Sequence, residues 1–486
     1  MASVLAIDLG GSSGRAVLGS LTETGQLELK EVNRFGDYLI NNDEEITWDI
    51  PKIMTEIHKS IALAQELDPE FVSIGVDTWG VDFGLIQQGE LVSNPRAYRD
   101  PYTKGKVTEV NQIIGRDELY ELTGIQSLEM NSLFQLVAYQ ELGLLKADQT
   151  MLLIPDLINY LLTGVMKAEM TIASTTQLLD VKKSTWSQEV IDKLKLPATI
   201  FPELVKPGTV IGELNNQRLK SDDVGPKKVI AVGSHDTASA VFSIPSLADA
   251  FFLSSGTWSL LGVQTAEPYI NEASKKYQVS HEQGVDDTYL LLKNITGLWL
   301  IEEAKRDFQK KNLSFNYSEM AELSLEAASS NFYFDTDLSE LALPGELIQK
   351  LNTYGEKTNQ GSLTSPGAIF RTIYENLALK YREAFEQLSV TIGENRKEVY
   401  IVGGGSQAAI LCQFTANALN KVVYAGMSEG TAVGNILNQL ITLKAITVEE
   451  KQQLVASSFE FKTYFPQEVV AWEAKYQEYK KKVEAV

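Results

Sequence analysis

Cysteine and histidine are almost missing from this chain, which has one cysteine and three histidines in 486 residues. A single thiol, Cys412, excludes an intrachain disulfide framework and fits a reducing cytoplasm. It stands in a helix-like run, Ala408 to Leu419, where a buried structural thiol is expected. His58, His235 and His281 lie far apart and share no ligand spacing with the cysteine, which argues against zinc. A basic excess is also missing, since 43 Lys and Arg face 64 Asp and Glu for a net charge of -21. With no local basic block to offset that charge, nucleic acid is not an expected partner. No apolar run is long enough to span a membrane. The first one, Met1 to Ile7, reaches Asp8 within a strand length, has no basic residues before it, and predicts a core strand rather than a leader. The Walker phosphate loop and the protein-kinase catalytic loop are both absent.

What is present starts with an acidic, glycine-rich turn, DLGGSSGR, between the strand-like runs Val4 to Ile7 and Ala16 to Leu18. A strand ending in Asp8 can aim a carboxylate at magnesium, while Gly11, Ser12, Ser13 and Gly14 let backbone N–H groups approach phosphate oxygens. An ordinary β-hairpin is the alternative. The same grammar returns half a chain later, where Phe251 to Leu253 leads into Ser254, Ser255, Gly256 and Thr257 before the apolar run Trp258 to Val263. Two such hairpins suggest a duplicated domain acting on one nucleotide. A third cluster, Gly403 to Gly405 with Ser406 and Gln407, follows a strand-like run and suits close approach to a nucleotide. A dinucleotide fingerprint or a packed strand-to-helix turn remains open there.

Two further segments carry polar chemistry. In GVDTWGVDF, Gly75 to Phe83, Asp77 can accept bonds from vicinal hydroxyls, Trp79 can stack on a sugar and Gly80 permits a close turn. Alternatively Trp79 is core and Asp82 caps a turn. His235, Asp236 and Thr237 stand at the end of the strand-like run Lys228 to Val232. Phosphoryl transfer to an alcohol needs a carboxylate near the reacting hydroxyl, and Asp236 is the candidate general base. An N-cap role for Asp236 is the competing reading.

The periodicities alternate between two and 3.6, which predicts an α/β chain. Strands are expected at Phe71 to Val76, Phe83 to Ile86 and Glu398 to Val402, and helices at Ile50 to Leu67, Ser132 to Leu144, Asp156 to Leu162 and Ala368 to Leu388. Residues 308–365 read as polar and irregular, and Gln467 to Val486 as an exposed charged helix. The length suits two domains. With no low-complexity linker, the boundary is set near 243–248, dividing the chain into 1–245 and 246–486.

Together, DLGGSSGR, GVDTWGVDF, PRAYRD, GSHDTASAV, SSGTWSLLG, KNITGLWL, GGGSQ and EGTAVGN resemble the FGGY carbohydrate kinases, in order from residue 3 to about residue 436. The resemblance implies two actin-like (ribonuclease H-like) domains of the sugar kinase/Hsp70/actin superfamily around a deep cleft. It also implies ATP-dependent phosphorylation of a ketose, L-rhamnulose at O1, with closure of the domains excluding water. By motif position, Gly11, Ser12, Ser13, Gly14 and Arg15 would touch ATP phosphates, with Thr257 meeting them from the second domain. Asp8 would hold Mg2+ through water, and Gly404 would lie under the adenosine. Gly80, His235, Asp236, Thr237 and Asn294 fall on sugar-contacting positions, with Asp236 as proton acceptor; Asp77 and Trp79 are added on chemistry alone. One departure concerns the nucleotide: the family commonly has glutamine where this chain has Glu302. Another ketose, such as L-fuculose or D-xylulose, and a non-enzymatic nucleotide-gated relative remain as alternatives, and monomer and homodimer are both open.

Overall fold

The computed structural model describes residues 2–42, 45–215 and 225–484. Its first strand, β1 (Ser3–Leu9), is buried at every position. That is the mark of a strand covered on both faces rather than one with a wet side. β1 pairs antiparallel with β2 (Ser13–Leu21), which pairs antiparallel with β3 (Leu27–Gly36). On its other side β1 runs parallel to β4 (Ser73–Thr78). The sheet ends with β5 (Thr209–Glu213) antiparallel to β6 (Lys228–Ala231), and β6 parallel to β4, giving the order β5-β6-β4-β1-β2-β3.

The crossover from β3 to β4 passes through helix Ile50–Leu67. Asp49 caps it by accepting a bond from the Lys52 N–H at 3.0 Å, and Pro51 stands in its first turn, where its missing N–H is harmless. Ile53, Ile57, Ile61 and Ala64 make its buried stripe. Each isoleucine removed from water there stabilises the fold by about 2 kcal/mol before entropy is counted.

The chain divides into two compact units. The first comprises Met1–Pro245, Gln264–Leu291 and Gly430–Ser458; the second comprises Ser246–Val263, Leu292–Glu429 and Phe459–Val486. Helix Gly430–Thr442 therefore belongs to the first unit despite its late place in the chain. It packs directly on strands β1 and β4: Gln439 Nε2 donates to the Leu5 carbonyl at 3.0 Å, and Ser73 Oγ donates to Gln439 Oε1 at 2.7 Å.

The second unit repeats the plan of the first. β7 (Ala250–Ser255) pairs antiparallel with β8 (Trp258–Thr265) through a short turn. β9 (Tyr289–Thr296) lies beyond β8. On its other side β7 is parallel to β10 (Glu398–Val402), which is parallel to β11 (Val422–Ala425), with β12 (Lys462–Tyr464) antiparallel at the edge. The order β12-β11-β10-β7-β8-β9 matches β5-β6-β4-β1-β2-β3, and strand Ser280–Gln283 adds a seventh beyond β9. A hairpin opening each half, with two parallel strands beside it, is the duplication suggested by the repeated glycine turns.

Two sequence expectations need correction. Residues 308–365 contain helices Tyr317–Glu326, Ser339–Ala342 and Leu347–Lys357 instead of irregular chain; Asn316 builds a capping box with Glu319. The tail helix, Val469–Val483, is not simply exposed. It buries Trp472, Tyr476 and Tyr479, spaced at helical intervals, and Trp472 packs 5.1 Å from the Phe414 ring. Tyr476 donates to Glu386 at 2.8 Å and Tyr479 to Glu383 at 3.2 Å, so the tail is docked within the second unit. Cys412 is fully buried, and burial pushes its thiol up to about 12. Among the described residues no helix is long and apolar enough to cross a membrane.

Candidate functional site

In the first unit, strand register brings the acidic candidates together. The parallel pairing of β1 and β4 sets Asp8 beside Asp77, and Thr78 forms a bridge with His235 just past β6. Asp8, Asp77 and Asp236 thus share the carboxyl-terminal edge of three neighbouring strands, where α/β sheets bind ligands. Arg15 faces Asp8 across the first hairpin and grips its Oδ2 with Nε at 2.8 Å and Nη2 at 2.7 Å. The hairpin turn closes with the Gly10 N–H donating to the Ser13 carbonyl at 2.9 Å, and the Tyr38 hydroxyl donates to the Gly10 carbonyl. Ser12 and Ser13 are left exposed at the tip.

Asp236 opens helix Asp236–Phe242, whose N-cap is His235, so its carboxylate is not the cap. A third of its side chain stays open to solvent although protein surrounds the rest. Burial raises its pKa; the neighbouring His235 opposes that rise, and Asp8 adds to it. The Thr237 hydroxyl donates to Oδ1 at 3.2 Å. This arrangement leaves one accessible carboxylate whose proton affinity is tuned by fixed neighbours.

The backbone leading into Asp236 is held from below. Glu169 is wholly buried, and its two oxygens accept from Thr171 N–H (2.8 Å), Thr171 Oγ1 (2.6 Å), Ile172 N–H (3.2 Å) and Ser234 N–H (3.1 Å). Thr171 Oγ1 in turn accepts the His235 N–H at 3.2 Å. Burial dominates over these bonds and raises Glu169 to about 7. Nothing in the local sequence tied Glu169 to the site, because the one partner that does so, Ser234, comes from a segment 65 residues away. Glu282 and Asn435 were missed for the same reason. Glu282 lies 3.0 Å from His235 Nδ1, and Asn435 Nδ2 donates to Asp77 Oδ2 at 2.6 Å. Asn435 does end the EGTAVGN run, and that polar residue on an apolar helix was the available signal.

Three residues of GVDTWGVDF sit differently from expectation. Asp77 has no exposed surface, so it cannot meet a sugar in this arrangement; its Oδ1 has no partner, and burial followed by the charge of Asp8 pushes its carboxyl well above the usual range. Trp79 is a core residue. Its ring lies 4.1 Å from that of Trp48 and stacks parallel to Tyr38 at 6.1 Å, which leaves no free face for a sugar. Asp82 is not a turn cap but a buried hub: its Oδ2 accepts both indole N–H groups, Trp48 at 2.6 Å and Trp79 at 3.0 Å, and the Tyr98 N–H at 3.1 Å. Gln135 donates to Oδ1 at 2.9 Å, and burial nevertheless raises Asp82 to about 7. Gly80 packs tightly, since a Cβ there would meet Thr175 at 3.1 Å. The next residue, Val81, holds a φ of 68°, a region that β-branched residues rarely enter. Thr175 Oγ1 accepts its N–H at 3.1 Å and Ser132 donates to its carbonyl, which fixes the turn.

The second unit carries the remaining candidates. Thr257 is exposed at the tip of the β7–β8 hairpin, and its carbonyl accepts the N–H groups of Gly297 and Trp299, each at 3.2 Å. Asn294 is half-buried on β9. Gly404 follows β10 and has open space where a side chain would be, whereas a Cβ at Gly405 would fall 2.0 Å from Ser255 Oγ. The third glycine cluster therefore abuts the end of the second hairpin strand, with one bare backbone surface beside it. Glu302 is engaged: the Tyr317 hydroxyl donates to its Oε1 at 2.5 Å.

Among the described residues no three His, Cys, Asp or Glu side chains form a group able to hold a metal ion. A cation bound here would take most of its ligands from phosphate and water.

Comparison with known proteins agrees with this layout. Residues 3–243 match the N-terminal domain, and residues 251–443 the C-terminal domain, of the FGGY family of carbohydrate kinases. The chain is 39% identical over 483 residues to the rhamnulokinase of Bacteroides thetaiotaomicron, covering 98% of both, and 37% identical over 469 residues to that of Enterococcus faecalis, covering 96% of this chain and 93% of the relative. In structure it is similar to a ligand-bound xylulose kinase from Lactobacillus acidophilus (TM-score 0.80, 18% identity, covering 99% and 97%). It is also similar to Plasmodium falciparum glycerol kinase with ADP (TM-score 0.80, 15% identity, covering 100% and 98%). At such identities the two solved structures speak for the fold alone. Full-length kinship in sequence, over two halves that repeat one strand plan, makes the chain a sugar kinase that belongs to the FGGY family of carbohydrate kinases.

Proposed function

We propose that this enzyme transfers the γ-phosphoryl group of ATP to O1 of L-rhamnulose, giving L-rhamnulose 1-phosphate and ADP in the cytoplasm. The observation that carries the choice of sugar is the near-complete alignment with rhamnulokinases at 32–39% identity. Asp236 serves as general base. It accepts the O1 proton as the O1–P bond forms and the bond from phosphorus to the β,γ-bridging oxygen breaks. A loose transition state needs the hydroxyl oriented more than strongly deprotonated, which suits a partly open carboxylate beside His235 and Thr237.

Gly80, His235, Thr237 and Asn294 are the remaining sugar-binding residues in this reading. Gly11, Ser12, Ser13, Gly14, Arg15 and Thr257 bind phosphates, and Gly404 lies under the adenosine. Glu302, already bonded to Tyr317, is kept as a ribose contact. Magnesium arrives with ATP, and the residues present fit it. Asp8 supplies a carboxylate, and the repulsion it exerts on Asp77 and Asp236 is what a divalent cation would relieve. When bound, the ion would neutralise charge on the transferring phosphate. Domain closure on sugar binding, over sequence domains 1–245 and 246–486, would exclude water and suppress idle ATP hydrolysis.

The test is ADP release with magnesium ATP against L-rhamnulose, L-fuculose, L-ribulose, D-xylulose, glycerol and no acceptor. A preference for L-rhamnulose is the expected result. Preference for another ketose would replace the substrate and keep the chemistry, while release indifferent to every acceptor would overturn both.

A further inference from the structure

Glu282 has no part in the reaction as written, yet its placement is unusual for a structural acid. It sits on strand Ser280–Gln283 with its side chain only 7% exposed. A carboxylate so buried needs a counter-charge. The one it meets is the imidazole of His235: Glu282 Oε2 is 3.0 Å from Nδ1, while the other ring nitrogen, Nε2, is 3.4 Å from Asp236 Oδ1. The ring thus separates two carboxylates. The Nδ1 approach is close but not aligned as a hydrogen bond, so the pair is held by charge more than by direction. We propose that Glu282 is a positioning residue that keeps His235 as an imidazolium and, through that cation, keeps Asp236 ionised and aimed at the sugar hydroxyl. This rests on Asp236 being the general base.

The surrounding charges allow the direction of each effect to be worked out. Burial drives the His235 ring towards neutrality. Glu282 opposes it most strongly, Asp236 and Glu169 add to that opposition, and the balance raises the ring to about 9. Asp236 experiences burial and the Asp8 carboxylate, both of which favour its protonation, against the His235 cation and the Thr237 bonds, which favour its ionisation. Asp77, close enough to Asp236 to be affected by it, is itself pushed towards its neutral form, and Arg15 is committed to Asp8. Removing the charge of Glu282 therefore lets burial win at His235. Above the lowered midpoint the ring is neutral, and Asp236 loses the cation that holds it in place.

The chain's histidine content makes the experiment practical. Only His58, His235 and His281 contribute ring signals, and burial holds His281 down at about 4, so a His235→Gln control assigns the remaining two. Full-length wild type, Glu282→Gln and Glu282→Asp would be titrated by histidine ring NMR, and the pH profile of kcat/KM for L-rhamnulose recorded for each. In Glu282→Gln the His235 midpoint is expected to fall by about 1–3 units, the usual effect of losing an adjacent opposite charge. The alkaline limb of kcat/KM, set by loss of the imidazolium beside Asp236, should move down with it, and Glu282→Asp should restore both. An unmoved His235 midpoint overturns the pairing. A fallen midpoint with an unmoved alkaline limb overturns the relay to Asp236. If Glu282→Gln does not fold, Glu282→Asp with the wild-type titration still decides, because a ring that titrates near 6.5 in wild type refutes the imidazolium. Near-normal turnover of Asp236→Asn would instead defeat the base assignment, leaving the NMR result to judge Glu282 and His235.

Discussion

Replacing Glu169 by glutamine should make the first unit gain stability on its parent as pH rises, while activity falls. Four donors converge on the two oxygens of this wholly buried carboxylate. Even so its pKa is raised from 4.5 to about 7, which means that burial exceeds the benefit of those bonds to the ionised form. An acid raised in the folded state contributes stability that is complete below pH 4.5 and is lost as pH climbs through about 7. The shift corresponds to about 3 kcal/mol at 1.36 kcal/mol per unit. Glutamine has no such dependence. At pH 5 the variant should be the weaker protein by about 1–3 kcal/mol, because its amide can match three of the four donors but turns N–H groups towards the Thr171 N–H. At pH 8 that deficit should vanish or reverse, since the parent now carries a buried charge and the variant does not. Urea unfolding of both proteins at the two pH values reads the difference directly. A stability gap identical at pH 5 and pH 8 would refute the reasoning, for it would mean that Glu169 does not change ionisation in between. Turnover should drop in either case, because Ser234 and His235 lose part of the support that positions Asp236.

Asp236→Asn is expected to leave the heat of sugar binding largely intact and to lower kcat by about 10² to 10⁴, the usual range for losing a general base; near-normal turnover would remove Asp236 from that role. Gly405→Ala puts a methyl group 2.0 Å from Ser255 Oγ, so the third glycine cluster must shift, and KM for ATP should rise about tenfold with KM for the sugar unchanged. An equal rise in both constants would sever that cluster from the nucleotide. Trp472→Ala empties the contact of the tail helix with Phe414 and should destabilise the second unit by about 3–5 kcal/mol in urea titrations, whereas a truly exposed tail would lose under 0.5 kcal/mol.

Features set by near neighbours were legible in the sequence. The strand–turn–strand around Asp8 and its echo around Thr257 were readable because the turn, the glycines and both flanking strands lie within about twenty residues, and helix Ile50–Leu67 matched its apolar spacing residue for residue. Asp236 could be singled out by type and by its place after a strand. What supports it could not: Glu169, Glu282 and Asn435 act across 65, 47 and 358 residues, and side-chain pairing at that range leaves no periodic trace. Trp79 was misjudged for a different reason. An indole suits both a sugar face and a core, and only the presence of Trp48 and Tyr38 against its ring decides between them. The tail helix was recoverable, since Trp472, Tyr476 and Tyr479 repeat at helical spacing; the run of lysines after them drew attention away.

The late return of helix Gly430–Thr442 to the first sheet bears on how the molecule is made. Asn435 is the donor to Asp77, Gln439 joins β1 to β4, and Gly75 exists as glycine because any Cβ there would strike Asn435 and Gln439. A ribosome that has synthesised residues 1–245 has therefore made every strand of the first sheet but not the helix that covers its centre. Until residue 442 emerges, the notch at Gly75 stays bare and the Asp77 carboxyl lacks its amide. The amino-terminal half is thus committed to waiting for the carboxyl-terminal half, and a gene cut at the sequence boundary yields a sheet without its roof.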